Sequence, residues 1–362
     1  MRLYLKADVA VLTEQLININ SISDNETELA DLVEKELKRL DYLEVTRNQD
    51  AIVARTNWGK QRRVILAGHL DTVPLPTVPG SKGTIPATVE DGILYGRGTT
   101  DMKGGVAVQL ALAAKLIDAA FDITYIFYDH EEVEAYKSGL GRLIKEYPEL
   151  ITGDFAILLE PSDAHVEGGC NGTLRAKIAT AGLAAHSGRA WKGKNAIHML
   201  APVLNTLAAY EPKTIAVEGL EYREGLSAVH IEGGVATNVI PDNAHVLVNY
   251  RYAPDKTEEE AQDHVEEVFK GFDVEIVDSA PAARPGLNLP DVKNFVEVVG
   301  MKPMPKYGWT DVARFSKIGI PAVNFGPGDP MLAHSDNEHV SQQDIRACYN
   351  SLEKWLTNTA EN

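Results

Sequence analysis

The spacing of hydrophobic residues predicts that helices and strands alternate in the first part of the chain. From about residue 9 to residue 40 the apolar positions recur at helical spacing, with Ser23 or Asp24 as a candidate N-cap for a second helix. A strongly apolar helix is predicted from Gly104 to Ala120. This alternation indicates an α/β domain whose functional residues lie on the loops that follow the strands. The apolar runs that predict strands are AIVART, RRVILAGHL, GILYGRG, ITYIFYD and FAILLEPS.

The pattern changes after Gly172, where strands are interspersed with only two helices. These helices are predicted from Asn195 to Ala209 and from Thr257 to Gly271. The resulting β-α-β-β-α-β order fits a small ferredoxin-like insert, and the Pro- and Gly-rich stretch from Ala280 to Pro290 is typical of a return linker. The predicted domains are residues 1–172 and 284–362 for the first, and residues 173–283 for the insert.

Charge and composition restrict the partners that the protein can bind. The 52 acidic and 35 basic residues give a net charge of −17, which repels nucleic acid and anionic membranes. The amino-terminal residues lack a secretory signal pattern, and no stretch reaches the ~20 apolar residues of a spanning helix. The two cysteines, Cys170 and Cys348, are expected to be reduced thiols. We therefore expect a cytoplasmic protein that binds neither nucleic acid nor membrane.

The segment VILAGHLDTVP places His69 and Asp71 at the end of a hydrophobic strand. Residues two apart on a strand face the same way, so both side chains can serve one site. An aspartate in this position can hold the imidazole of a metal-binding histidine in the required tautomer. Taken alone, the pair is explained equally well as a loop histidine beside an aspartate turn.

Asp101 lies in the glycine-rich segment GILYGRGTTDMKGG, just before the long apolar helix. A carboxylate here can bridge two metal ions, since each of its oxygens can bind one cation. A glycine-rich loop that opens a helix can instead bind phosphate. The spacing matches neither of the usual phosphate-binding motifs, and an aspartate repels phosphate unless a cation is present. The metal interpretation is therefore favoured.

A hydrophobic strand runs directly into the adjacent Glu131 and Glu132. Two neighbouring carboxylates repel each other unless cations or protons compensate them. Glutamate pairs commonly lie on solvated surface, but the preceding strand delivers this pair to the functional edge of the sheet. If Glu132 binds metal, Glu131 points elsewhere and is free to take a proton from water.

Two further candidate ligands follow the same logic. Glu160 ends the apolar run FAILLEPS, and the glycine-rich segment GPGDPMLAHSDNEHV offers His334 or His339, which spacing alone does not distinguish. Two histidines and three carboxylates form a sensible ligand set for two hard or borderline cations, which can lower the pKa of a shared water towards ~7. The residues alone therefore predict His69, Asp101, Glu132, Glu160 and either His334 or His339 as metal ligands.

Five segments resemble, in order, the motifs of the aminoacylase and carboxypeptidase-type dizinc family: GHLDTVP, YGRGTTDMKGG, the adjacent glutamates, LLEPS and AHSDNEHV. The resemblance covers nearly the whole chain. It implies an α/β dizinc aminopeptidase/carboxypeptidase-like catalytic domain with an inserted ferredoxin-like α+β lid, through which the chain forms a homodimer. It also implies two Zn²⁺ per subunit, for which Co²⁺ or Mn²⁺ could substitute.

The resemblance further implies a role for each candidate in the catalytic domain. His69 and Glu160 would bind one zinc, and Glu132 and His334 the other. Asp101 would bridge the two ions and would be followed by a cis peptide bond. The remaining two roles are those of the general base, Glu131, and of the residue that orients the first histidine, Asp71.

In the predicted lid, AAHSGRAWKGKNAIH resembles the family element that presents a histidine, here His186, to the oxyanion of the tetrahedral intermediate. Ala190 stands where the family often has proline, and His186 could instead only cap its own loop. Asn238 and Arg251 are similar to positions that bind the substrate carboxylate, and a bidentate contact suits arginine. The alternative for Arg251 is a structural ion pair.

The segments YRYAPD and GWTDVARFS most resemble the desuccinylase branch of the family, which implies N-succinyl-LL-2,6-diaminopimelate as the small-molecule substrate. Thr310 and Arg314 keep their family positions, although the residues between them differ. Another N-acyl amino acid deacylase, such as one acting on acetylornithine, is the nearest alternative. A peptidase is weakly opposed by Glu160, where an aspartate would be expected, and a non-catalytic metal-dependent binding protein is opposed by the presence of Glu131.

Overall fold

Strands and helices alternate in a computed structural model of the chain, which describes residues 2–358. The strands are β1 (Glu44–Asn48), β2 (Ala51–Arg55), β3 (Arg63–His69), β4 (Thr88–Glu90), β5 (Ile93–Tyr95), β6 (Asp122–Tyr128), β7 (Phe155–Leu158), β8 (Glu167–Gly168), β9 (Gly172–Ala181), β10 (Ala185–His186), β11 (Thr214–Val217), β12 (Leu220–Arg223), β13 (Gly225–Gly233), β14 (Val239–Ile240), β15 (Asn243–Tyr252), β16 (Asp273–Ala280), β17 (Met304–Pro305), β18 (Ala322–Asn324) and β19 (His339–Ser341). The α-helices are α1 (Val9–Ile17), α2 (Thr27–Leu37), α3 (Lys103–Lys115), α4 (Gly139–Glu146), α5 (Ala196–Met199), α6 (Ala201–Ala208), α7 (Glu258–Val268), α8 (Pro290–Val299), α9 (Val312–Lys317) and α10 (Gln342–Thr357).

The backbone contacts divide the chain into two units. Unit 1 comprises the residues up to Gly168, Gly286–Met304 and the residues from Arg314 onward, and unit 2 comprises Gly169–Pro285 and Pro305–Ala313. The short second part of unit 2 lies outside the predicted range 173–283. No local pattern in the sequence marks it, because the contacts that place it there involve residues far away along the chain.

The sheet of unit 1 has the order β1-β2-β6-β3-β7-β18-β8-β17. Strand β3 is parallel to both β6 and β7, and β7 is parallel to β18. Their near-continuous apolar sequences are explained by burial on both faces, which is usual for parallel strands. Because the carboxyl ends of β3, β6 and β7 meet at one edge, the loops that follow them lie together.

Helix α3 packs closely against this edge of the sheet. The side-chain amide of Gln109 donates hydrogen bonds to the carbonyls of Leu66 and Ile126, 2.9 Å away in each case, and so joins α3 to β3 and β6. A Cβ atom on Gly105 would lie only 2.1 Å from the carbonyl oxygen of Leu159. The absence of a side chain at position 105 therefore lets the helix approach the strand end.

The structure changes several helix boundaries predicted from the sequence. The stretch from 9 to 40 contains a second helix, as predicted, but the N-cap of α2 is Glu26 rather than Ser23 or Asp24. Ser23 lies before the first turn of α2, and its hydroxyl instead donates a hydrogen bond to Oδ2 of Asp71, 2.8 Å away. Helix α3 also ends earlier than predicted, at Lys115.

Unit 2 contains an antiparallel sheet of order β13-β15-β9-β16. With α6 and α7 placed between the strands along the chain, this is the ferredoxin-like arrangement that the sequence predicts. Alternate residues of β15 are buried, from Ala244 to Tyr250, and form the core of the unit with the helices. The sequence did not predict the hairpin of β11 and β12 or the break in the first helix at Leu200.

Cys170 and Cys348 are buried, free thiols, one in each unit. Among the helices of residues 2–358, none combines the length and the apolar character needed to cross a membrane.

Candidate metal centre

Asp101 lies between two histidines at the edge of the unit 1 sheet. Its Oδ1 is 3.1 Å from Nε2 of His69, and its Oδ2 is 3.3 Å from Nε2 of His334. The two oxygens of one carboxylate thus face different imidazoles, which is the arrangement that a bridging carboxylate requires. The peptide bond between Asp101 and Met102 is cis, as the family resemblance implies.

Each histidine also faces a second carboxylate. Oε1 of Glu160 is 3.9 Å from Nε2 of His69, and Oε1 of Glu132 is 3.0 Å from Nε2 of His334. The structure therefore brings the five residues that were predicted as ligands into two histidine–glutamate pairs that share Asp101. Donor atoms of His69, Asp101 and Glu132 all lie within 4.8 Å of one another.

The structure separates the two histidines that spacing left unresolved. His339 directs Nδ1 to the carbonyl of Asn337, 2.7 Å away, and its ring packs on Tyr95 with centroids 4.9 Å apart. His334 instead meets the carboxylates described above. Its backbone has a left-handed φ of 63°, which is uncommon for a residue with a side chain.

The electrostatics of the cluster favour bound positive charge. Burial opposes protonation of His69, but its hydrogen bonds to Asp101 and Asp71 outweigh this effect and hold its pKa well above the usual value. Hydrogen bonds to Asp101 and Glu132 raise the pKa of His334 to about 10. Burial raises the pKa of the Glu132 carboxyl, and the neighbouring charge of Asp101 acts in the same direction. Divalent cations would neutralise this excess of carboxylates.

Asp71 fixes the site in a way that the sequence did not reveal. Nδ1 of His69 lies 3.0 Å from the backbone carbonyl of Asp71 and 3.5 Å from its carboxylate. The carboxylate mainly accepts hydrogen bonds from the backbone N–H groups of Glu131 and Glu132, at 3.0 and 3.1 Å. Asp71 therefore holds both the histidine and the loop that carries the adjacent glutamates.

Glu338 is a buried residue of the site that sequence reasoning missed. Its Oε1 accepts hydrogen bonds from the backbone N–H groups of Thr100 and Asp101, at 3.0 and 3.1 Å. Its Oε2 accepts from the guanidinium of Arg97, 2.8 Å away. The partners lie more than 230 positions from Glu338 along the chain, so no local pattern could have identified it.

The residues predicted to contact the substrate or the oxyanion are distributed over both units. Nδ1 of His186 accepts a hydrogen bond from the backbone N–H of Gly188, 3.0 Å away, which is the local cap considered above. Asn238 is exposed, Arg251 is half-buried on β15 and Thr310 is buried, all in unit 2. Arg314 lies on α9 in unit 1, and its guanidinium is 3.4 Å from the carbonyl of Ala135.

Comparison with known proteins identifies relatives of the whole chain. A family model described as Peptidase family M20/M25/M40 matches residues 65–358. A Mycobacterium tuberculosis (strain H37Rv) protein provisionally named succinyl-diaminopimelate desuccinylase DapE is 47% identical over 355 residues, covering 97% of this chain and 99% of the relative. The succinyl-diaminopimelate desuccinylase of Corynebacterium glutamicum is 42% identical over 364 residues, covering 98% and 97% respectively.

Solved structures have the same fold at much lower sequence identity. The Bacillus subtilis YXEP protein, described as a dinuclear metal binding peptidase from the M20 family, matches with a TM-score of 0.71 and 14% identity, over 97% of each chain. At this identity the match shows the fold alone, and it confirms the predicted class of fold.

Proposed function

Because this chain belongs to peptidase family M20/M25/M40, we propose that it is a metal-dependent amide hydrolase that cleaves N-succinyl-LL-2,6-diaminopimelate. The products are succinate and LL-2,6-diaminopimelate, in the synthesis of diaminopimelate and lysine. The observation that carries this proposal is the near full-length match to two relatives named for this activity. The segments that resemble the desuccinylase branch agree with it.

Two Zn²⁺ ions per chain fit the donor set of unit 1. His69 with Glu160 would hold one ion and His334 with Glu132 the other, and the opposed oxygens of Asp101 support its role as the bridge. Imidazole and carboxylate donors suit zinc, and they also accept cobalt or manganese. When bound, such a pair of cations supplies a water of lowered pKa and polarises the amide carbonyl.

Glu131 acts as the general base in this proposal. It takes the proton of the attacking water and returns it to the leaving amine, so one carboxyl serves both halves of the reaction. The hydrogen bonds from the backbone of Glu131 and Glu132 to Asp71 support this division of labour. They hold the adjacent residues in a fixed loop, in which one glutamate binds metal and the other transfers protons.

His186 of unit 2 stabilises the oxyanion that forms on the carbonyl. Since Nδ1 of His186 accepts the hydrogen bond from Gly188, the neutral imidazole carries its proton on Nε2 and can donate from that atom. The local cap and the catalytic role are therefore compatible.

Arg251 and Asn238 bind the substrate carboxylate in this proposal, and Thr310 and Arg314 are two further substrate-binding residues. Burial and the neighbouring Arg175 lower the pKa of Arg251. A partly desolvated guanidinium of this kind gains from a carboxylate partner and can bind it through two hydrogen bonds.

We further propose that the cytoplasmic chain forms a homodimer through unit 2, its lid domain. Strand β13 is an edge strand, and its Val229 and Ile231 are 56% and 53% exposed. An apolar, unpaired edge of this kind is suited to pair with a second strand. The dimer is tested by measuring the molar mass of the unchanged protein and of Val229→Lys by light scattering. A monomeric mass for the unchanged protein would contradict the proposal.

The substrate assignment is tested by assaying the purified, zinc-loaded protein with N-succinyl-LL-2,6-diaminopimelate and N-acetylornithine side by side. We expect kcat/KM to be higher for the succinyl substrate. A preference for acetylornithine would overturn the substrate assignment but leave the assignment as an amide hydrolase intact. Absence of turnover with any N-acyl amino acid or peptide would overturn both assignments.

A further inference from the structure

Two histidines and a glutamate lie together on the unit 2 sheet, outside the residues assigned to the reaction. His230 and Glu232 are on β13, and His245 is on β15 directly opposite Glu232. Because directly paired residues of antiparallel strands share a face, Glu232 and His245 project to the same side. His230, two positions from Glu232, projects to that side as well. Since the adjacent Ala244 and Val246 are buried in the core, the three residues lie on the opposite, open face of the sheet.

The donor atoms of this cluster are almost close enough to bind one ion. Oε2 of Glu232 lies 3.9 Å from Nε2 of His230 and 3.8 Å from Nε2 of His245. One donor atom from each residue lies within 4.8 Å of the other two. Zinc bonds of ~2.0–2.1 Å in a tetrahedral site place neighbouring donors roughly 3.3 Å apart. Shifts of about half an ångström would therefore bring Glu232 to this distance from each histidine. The side chains of His230 and Glu232 are 59% and 71% exposed, which leaves room for such movements and for the approach of the two imidazoles.

We propose that His230, Glu232 and His245 bind a divalent transition-metal cation such as Zn²⁺, at a site separate from the unit 1 centre. Two imidazoles and one carboxylate favour zinc, nickel or copper over magnesium or calcium, which prefer oxygen donors. Water supplies the fourth ligand, as it does in three-residue zinc sites.

The neighbouring charges permit a cation at this position. Lys177 is close to the cluster on the same face, but its ammonium group pairs with Glu275, 3.4 Å away. Three protein ligands on an open surface bind more weakly than the five-residue donor set of unit 1, so this site fills after that centre.

The consequence of binding is a cross-link between β13 and β15. The pairing of these strands is irregular between Ala228 and His230, next to the proposed ligands. A bound ion would therefore fix the edge strand beyond this irregularity, and would raise the thermal stability of unit 2 as the concentration of free Zn²⁺ exceeds the Kd of the site.

The site can be tested by titrating the full-length protein, already loaded at its catalytic centre, with Zn²⁺. Metal content gives the stoichiometry, and two-dimensional NMR of the imidazole nitrogens identifies the histidines that bind. We expect one further Zn²⁺ per chain, with the signals of His230 and His245 shifting together. His245→Gln and Glu232→Gln should weaken this binding at least ~10-fold, since even outer-sphere changes at metal sites cost that much.

His198→Gln is the matched control, because it removes an exposed imidazole of the same unit outside the cluster. It should bind the extra ion as the unchanged protein does, and amide hydrolysis should be unaffected in all three variants. The proposal fails if the unchanged protein takes up no further ion, or if His245→Gln binds it with unaltered affinity.

Discussion

Glu338 holds the backbone of Asp101 in place from a position far away along the chain. Its Oε1 accepts the N–H of Asp101 at 3.1 Å, while its Oε2 accepts from Arg97 at 2.8 Å. Glu338 is only 1% exposed, so water offers these donors little alternative. The same loop carries His334. Glu338 thus connects Asp101, which faces His69 and His334, to the loop that carries His334.

Replacing Glu338 with glutamine should weaken metal binding without removing any proposed ligand. The amide keeps one acceptor oxygen but turns two N–H donors towards groups that are themselves donors, which releases the Asp101 loop. We expect metal affinity to fall about 10- to 100-fold, as for other residues that orient metal ligands. Metal content after dialysis against a zinc buffer measures the effect. The control is Glu297→Gln, on the exposed side of α8, and equal metal retention by both variants would contradict the expectation.

Glu131→Gln should separate catalysis from metal binding. Without a carboxylate to transfer the proton, we expect kcat to fall by about 10²–10⁴-fold while the metal content stays unchanged. Glu134→Gln is the control, since Glu134 is exposed in the same loop. Turnover that survives in Glu131→Gln would assign the base to another residue, and loss of metal would make Glu131 a ligand.

Much of unit 1 could be predicted because its features are local. Apolar runs followed by His69, by the adjacent glutamates and by Glu160 are visible in the sequence, and parallel strands necessarily bring their carboxyl ends to one edge. The role of Glu338 and the backbone contact of Asp71 could not be predicted, since they depend on which loops meet in space. His334 was separated from His339 by its contacts with Asp101 and Glu132, which spacing does not encode.

The Asp122 carboxylate should make the free energy of unfolding decrease as the pH falls into the acid range. Burial raises its pKa, but hydrogen bonds from the Trp58 N–H, the Thr56 hydroxyl and the Lys60 N–H outweigh this effect, so the pKa is lowered overall. A carboxyl whose pKa is lower in the folded state stabilises the fold fully above its unfolded value of ~3.9. This contribution is lost as the pH falls through the folded value.

Urea unfolding of the unchanged protein and of Asp122→Asn at about pH 6 and about pH 3 tests this expectation. The variant should be less stable by about 1–3 kcal/mol at the higher pH, the usual cost of removing hydrogen bonds to a charged group. The difference should shrink at the lower pH. A difference that stays constant between the two conditions would assign the loss to packing rather than to charge.

Gly105→Ala should destabilise unit 1 and disturb its metal centre together. The new Cβ would meet the carbonyl oxygen of Leu159 at 2.1 Å, so α3 must move away from the strand end that precedes Glu160. We expect a loss of about 3 kcal/mol or more in the free energy of unfolding, at the upper end for overpacked sites. Gly225→Ala is the control, because no atom lies within 4 Å of the position that its new Cβ would take. Gly105→Ala should lower both the unfolding temperature and the metal content. Gly225→Ala should change neither.

The two-sided attachment of Asp71 has a consequence for genetics. One residue sets the orientation of His69 through its carbonyl and the conformation of the 131–132 loop through its carboxylate. Substitutions at these positions should therefore be epistatic: after Asp71 is replaced, a further change at Glu131 or His69 costs much less than it does alone. In a saturation mutagenesis screen for activity, position 71 would tolerate almost no other residue. Double substitutions at positions 69, 71 and 131 would lose less activity than the sum of the single effects predicts.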